Sequence, residues 1–165
     1  MRPLLIKTNL YFDQRGFFKE LYLKKKIKFD CKFTAMSFSK QNVIRGLHYQ
    51  IVKKQEKILS VLKGKALDIC VNIDRNSKNF GKVYKFNLRP GLLLYVPINY
   101  AHGIGFYGKE NILLYHLSEY RYPKFERGLI YNDKELKINW KIKNPILSER
   151  DRLMPSFNKT FKINK

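Results

Sequence analysis

A chain of 165 residues, 44% of them apolar and 15% aromatic, has the size and composition of one folded domain, which excludes a disordered tail and a pair of typical domains. No stretch approaches the roughly 18 apolar residues of a membrane helix, and the apolar run in "MRPLLIK" is too short for a secretory leader, so a cytoplasmic protein is expected. The charge is lopsided, 34 Lys and Arg against 13 Asp and Glu, a net of +21. Its lysines are spread along the chain and no zinc-finger, helix-turn-helix or RNP pattern accompanies them. That excludes a dedicated nucleic-acid module as the first expectation, while a small anion such as a nucleotide diphosphate suits the field equally well.

Taken in chain order, most segments alternate with a period of two, the signature of strands. "VIRGLHYQ" (Val43 to Gln50) reads as a strand interrupted by Arg45, Gly46 and His48. "ALDICVNI" sets Leu67, Ile69, Val71 and Ile73 against Asp68, Cys70 and Asn72; "KVYKFNL" groups Tyr84, Phe86 and Leu88; "NILLYHLSEY" groups Leu113, Tyr115 and Leu117 against Ile112, Leu114 and His116. Turn signals separate the runs: "LKGK", "DRNSKNFGK", "LRPG" and "YGKEN". The pattern predicts one all-β domain over residues 1–165, an antiparallel sandwich or barrel with few short helices. The region from Lys134 to Asp151 is where a helix is expected, and the polar tail "NKTFKINK" after Pro155 reads as a frayed end. Cys70, inside an apolar run, reads as a small core residue; with Cys31 it allows one disulfide in principle.

The titratable residues leave two readings open. His48, His102 and His116 are the three histidines, and none sits in a metal-ligand pattern such as HxH or HExxH. An imidazole titrates near neutrality, which suits proton abstraction; a hydrogen-bonded core histidine is the alternative. Local sequence supplies His48 with no carboxylate partner.

Several blocks, in order, carry a resemblance. "RGLHYQ" (Arg45 to Gln50), "DQRGFFKELY" (Asp13 to Tyr22), "QEKILSVLKGKALDICVNIDRNSKNFGK" (Gln55 to Lys82), "YVPINYAHGIGFY" (Tyr95 to Tyr107) and "LSERD" (Leu147 to Asp151) resemble the motifs of the dTDP-4-dehydrorhamnose 3,5-epimerase family. The resemblance implies a cupin-type jelly roll and epimerisation at C3 and C5 of a nucleotide-linked 4-keto-6-deoxy sugar. It implies no metal or other cofactor and a homodimer; the composition and charge pattern already argue against nucleic acid and membrane as partners. The protons removed flank the C4 ketone and are acidic because the carbanion delocalises onto its oxygen.

By resemblance, His48 is the base, Asp151 its carboxylate partner, and Tyr115 the acid on the opposite face. Lys57 falls near the ketone oxygen with Asp68 beside it. Arg15 and Arg45 match diphosphate and nucleotide contacts, Phe18 and Glu20 contacts to the base, and His102 a pocket histidine. Arg150 keeps the positive charge before Asp151, and His116 matches no family site and reads as structural. The same base would serve an epimerase acting at one carbon or a ketoisomerase. A silent nucleotide-sugar-binding cupin would have no use for a matched acid and base. The chain departs from the family pattern at Phe33 and Ala35, where amides are usual, at Arg121, where a second tyrosine is common, and at Asn99, where glycine precedes "AHG". These departures put substrate identity in question more than proton transfer.

Overall fold

The computed structural model describes residues 1–22, 24 and 27–163. Two five-stranded antiparallel sheets face each other. In the first, β1 (Leu4–Lys7), β9 (Leu92–Val96), β6 (Lys57–Lys63), β11 (Glu110–Leu117) and β4 (Phe33–Lys40) lie in that order. In the second the order is β12 (Glu126–Gly128), β5 (Ile44–Gln50), β10 (Tyr100–Phe106), β7 (Ala66–Asn72) and β8 (Val83–Leu88). A separate hairpin pairs β2 (Tyr11–Asp13) with β3 (Gly16–Phe18). This is the expected antiparallel sandwich. Among the described residues no helix is long and apolar enough to cross a membrane, and both cysteines are free thiols.

The alternation in the sequence acquires a direction once the layers are in place. Leu67, Ile69 and Val71, the apolar stripe of β7, point out of the sandwich and are covered by Leu129, Leu136, Trp140 and Phe157 from the C-terminal third. Its polar face points inward, with Cys70 packed among Leu59, Val61, Leu94, Ile104, Phe106 and Leu113 between the sheets. Asp68 is therefore fully buried rather than solvated. On the far side, Phe29 with Ile6, Tyr22 and Ile27 covers Ile58, Leu93 and Tyr95 of the first sheet.

Of two local expectations, one is met by a single turn and the other is corrected. The helix expected within Lys134 to Asp151 is α1 (Glu149–Arg152), at the end of that region. The preceding "KELKINWKIK" is broken by turns, with left-handed backbone at Lys137 and Lys141 (φ 47° and 56°), and forms an irregular cover: Leu136, Ile138, Trp140 and Ile142 lie on the second sheet, anchored by Trp140 Nε1 donating to the Tyr131 carbonyl at 2.7 Å. The tail read as frayed contains α2 (Phe157–Phe161), capped by Ser156. Phe157 and Phe161 pack on Phe80, with ring centroids 5.1 and 5.2 Å away, and the Phe157 amide donates to Asp133 at 2.6 Å. Polar neighbours hid two aromatic anchors.

The feature that positions the site is a bulge in β5. Its pairing with β10 places His48 opposite His102 and Arg45 opposite Ile104, so Gly46 and Leu47 together face Gly103. In a regular strand, residues three apart point to opposite faces. The extra residue of a bulge resets that alternation, and Arg45 and His48 both reach the interior while Ile44 and Leu47 pack outward. Gly46 is needed for two reasons: its φ is +114°, and a Cβ there would lie 2.6 Å from both Gly103 Cα and the His102 carbonyl oxygen. Gly46→Ala is expected to cost at least about 3 kcal/mol through combined strain and overpacking. Urea denaturation reads this directly, and a midpoint equal to the parent's would show that the bulge tolerates a side chain.

Candidate active site

Between the sheets lies a cavity of about 650 Å³ lined by Arg45, His48, Lys57, His102, Tyr115, Arg150 and Asp151, together with Phe33, Ala35, Arg121 and Glu126. His48 stands on β5 of the second sheet and Tyr115 on β11 of the first. The two groups thus approach one space from opposite walls.

Asp151 joins the bulge to the imidazole. It lies in α1, whose Ser148 cap accepts from the Asp151 amide at 3.1 Å. One carboxylate oxygen is 2.6 Å from His48 Nε2, and the other accepts from the Gly46 amide at 3.1 Å. An ionised carboxylate can only accept, which places the His48 hydrogen on Nε2 and the lone pair on Nδ1. Burial pushes the Asp151 carboxyl up, but the hydrogen bond and charge of His48, with the Gly46 amide, outweigh it and leave it below its ordinary value.

A second imidazole–carboxylate pair lies deeper. His102 Nε2 donates to Asp68 at 2.7 Å, and the Cys70 thiol donates to the other Asp68 oxygen at 3.5 Å. Burial holds the His102 imidazole below its ordinary value despite the pull of Asp68. Loss of water lowers Lys57 as well, with Cys70 and Asp68 opposing the shift. Tyr115 hydrogen-bonds with Ser37 at 3.2 Å. Burial raises its phenol, while Ser37 and the Arg45 guanidinium pull the other way, so the hydroxyl keeps its proton at neutral pH. Arg45 is fixed by Nε to Ser39 at 3.0 Å and Nη2 to the Phe38 carbonyl at 3.0 Å.

The comparisons with known proteins agree over nearly the whole chain. The family model described as dTDP-4-dehydrorhamnose 3,5-epimerase matches residues 3–159. The chain belongs to the dTDP-4-dehydrorhamnose 3,5-epimerase family. It is accordingly an isomerase of cupin type. The dTDP-4-dehydrorhamnose 3,5-epimerase of Pseudomonas aeruginosa is 31% identical over 163 residues, covering 93% of this chain and 90% of that protein. The crystal structure of the Bacillus anthracis enzyme with TDP and PPi bound is 33% identical with a TM-score of 0.90, and 94% of each chain is covered. The Legionella pneumophila dTDP-6-deoxy-D-glucose-3,5-epimerase in complex with dTDP-4-keto-L-rhamnose is 30% identical with a TM-score of 0.91, covering 94% of this chain and 88% of that one.

Within this family member, the fold gathers eight of the eleven residues singled out from the sequence. His48, Tyr115, Asp151, Arg45, Lys57, His102 and Arg150 line the cavity, and Asp68 reaches it through His102. The other three stand elsewhere. Arg15 is mostly exposed and paired with Asp13 at 2.6 Å, Phe18 is 67% exposed on the hairpin, and Glu20 borders a separate groove beside Leu4, Ile6 and Tyr22. Sequence reasoning did not single out Glu126. Nothing in "YPKFERG" signals that it meets Arg121 at 2.6 Å and Arg150 at 2.6 Å. His116 is buried, bonded through Nδ1 to Thr34 at 2.9 Å, with its ring tilted against Tyr22 at 5.4 Å between centroids. Its structural reading matches that placement.

Burial pushes the Glu126 carboxyl up, but hydrogen bonds from Arg121 and Arg150 bring it down from its ordinary 4.5 to about 2. The folded state therefore binds this proton less readily than the unfolded chain, so its stabilisation is complete above pH 4.5 and is lost as pH falls toward 2. Glu126→Gln is expected to flatten the acid limb of stability, followed as urea midpoints across that window. An unchanged slope would contradict the assignment.

Proposed function

We propose that this cavity converts dTDP-4-dehydro-6-deoxyglucose to dTDP-4-dehydrorhamnose by proton transfer across the sugar ring, with His48 as base and Tyr115 as acid. The observation that carries this reading is the opening of the His48–Asp151 pair and the Tyr115 hydroxyl onto one cavity from opposite sheets. The relatives' bound TDP and dTDP-4-keto-L-rhamnose support a nucleotide sugar as the ligand.

His48 Nδ1 takes the proton from a carbon next to the C4 ketone. The released electron pair moves into a carbon–carbon double bond, and the carbonyl pair moves onto oxygen as an enolate. Asp151 stabilises the imidazolium that results. Lys57, poor in water, supplies a cation for the enolate oxygen, where preorganised charge acts strongly. Tyr115 then delivers its proton from the other wall, which inverts the carbon, and Arg45 stabilises the phenolate until solvent restores both groups. The second carbon repeats the cycle. A base positioned in this way contributes ~10²–10⁴-fold. In deuterated water, both C3 and C5 are expected to take up label. His48→Asn should remove exchange, and Tyr115→Phe should leave label uptake without inversion. Normal turnover by His48→Asn would reject the assignment.

Phe33 and Ala35 line the cavity, and Phe33 stacks on Tyr120 with centroids 6.1 Å apart and planes at 18°. Two amide contacts are thus exchanged for an apolar wall, which favours a flat, apolar group of the ligand there. Epimerisation at one carbon would be seen as label at C3 or C5 alone.

The active form we propose is a cytoplasmic homodimer in which the β2–β3 hairpin enters the partner's cavity. Arg15 and Phe18 lie outside their own cavity, Phe12 is 73% exposed, and edge strand β4 presents Met36 and Phe38 to solvent. Exposed aromatic clusters of this kind mark interfaces. Mixing His48→Asn protein with an Arg15→Ala/Phe18→Ala variant is expected to restore activity, since a mixed dimer holds one site with both functions intact. Absence of recovery after subunit exchange would place the hairpin elsewhere.

A further inference from the structure

Arg121, in the loop after β11, and Arg150, in α1, converge on Glu126 at the start of β12. Arg121 donates from Nε at 2.6 Å and from Nη2 at 3.1 Å, and Arg150 donates from Nη1 at 2.6 Å. The Glu126 side chain is only 16% exposed, against 62% for Arg121 and 43% for Arg150. The carboxylate is therefore more enclosed than the two guanidiniums it binds, and all three residues line the cavity. A guanidinium carries five N–H donors, so each retains donors beyond those spent on Glu126. Two cations in one cavity repel unless an anion lies between them, and Glu126 supplies it while tying the loop to the helix that carries Asp151.

Resting on the reading that the cavity takes a nucleoside diphosphate sugar, we infer that Glu126 is a positioning residue. It holds Arg121 and Arg150 as a cationic pair for the diphosphate, and Arg121 joins Arg150 in binding that group. Guanidinium forks match phosphate oxygens when their planes are fixed. A free arginine would have to be ordered by the ligand itself, at the expense of affinity.

The sign of the effect separates positioning from simple charge. If Glu126 only diluted the positive field, removing its charge would tighten anion binding. Positioning predicts the reverse. With the full-length protein, dTDP titrated by calorimetry is expected to bind Glu126→Gln about tenfold more weakly than the parent. KM should rise in parallel, and kcat should fall far less. Arg121→Gln, at a mostly exposed side chain, should give a similar loss in a protein whose thermal unfolding is normal. The double variant should bind dTDP within about twofold of the weaker single one, because the residues act as a unit. Unchanged or tighter dTDP binding by Glu126→Gln, or a double effect equal to the product of the single effects, would overturn the inference. Isotope exchange in the parent tests the epimerase reading separately, since the dTDP titration involves no chemistry.

Discussion

Where β5 passes Gly103 it takes in one more residue than its neighbour, and the rest of the site depends on that misfit. Without the bulge, Arg45 and His48 would face opposite sides of the sheet, one in the cavity and one beneath the C-terminal cover. With it, both enter the sandwich. The Gly46 amide, freed by the irregular pairing, donates to Asp151, so the carboxylate that orients the imidazole also fastens the bulge. Backbone geometry and side-chain chemistry are thus held by one group.

The electrostatics divide between outside and inside. A net charge of +21 surrounds an interior where ionisable groups come in compensated sets: His48 with Asp151, His102 with Asp68, and Glu126 with two arginines. Burying an unpaired charge costs several kcal/mol, so an interior that holds these groups must supply partners from distant segments. Asp151 comes from a helix 103 residues after His48, and Asp68 lies 34 residues before His102. Lys57 and Tyr115 are tuned by lack of water more than by any single partner.

The cover layers explain why a small sandwich can hold a polar cavity of this size. The apolar residues pack beside the cavity in three clusters: Leu59, Leu94, Phe106 and Leu113 between the sheets, the stripe of β7 under Trp140 and Phe157, and Phe29 against the first sheet. The interior can then carry Asp68, His102 and Lys57 without emptying the core. The same layout accounts for what was hard to read. A strand buried on both faces shows an apolar and a polar stripe, and the polar one looks like a solvent face until a second sheet is placed over it.

The amino-acid sequence by itself determined the strands, their turns and the family, because period-two alternation and short motifs are local properties of the chain. It also named His48, Tyr115 and Asp151, through motifs rather than through any visible contact. Tertiary structure alone decided which face of β7 was interior, that the lysine-rich 134–143 stretch is an irregular, turn-rich cover, and that Phe157 and Phe161 anchor the C-terminal segment. It also paired Glu126 with Arg121 and Arg150, and left Arg15 and Phe18 outside the cavity of their own chain. Such facts depend on contacts between residues far apart in sequence, and local alternation carries no information about which distant segment will cover a given face.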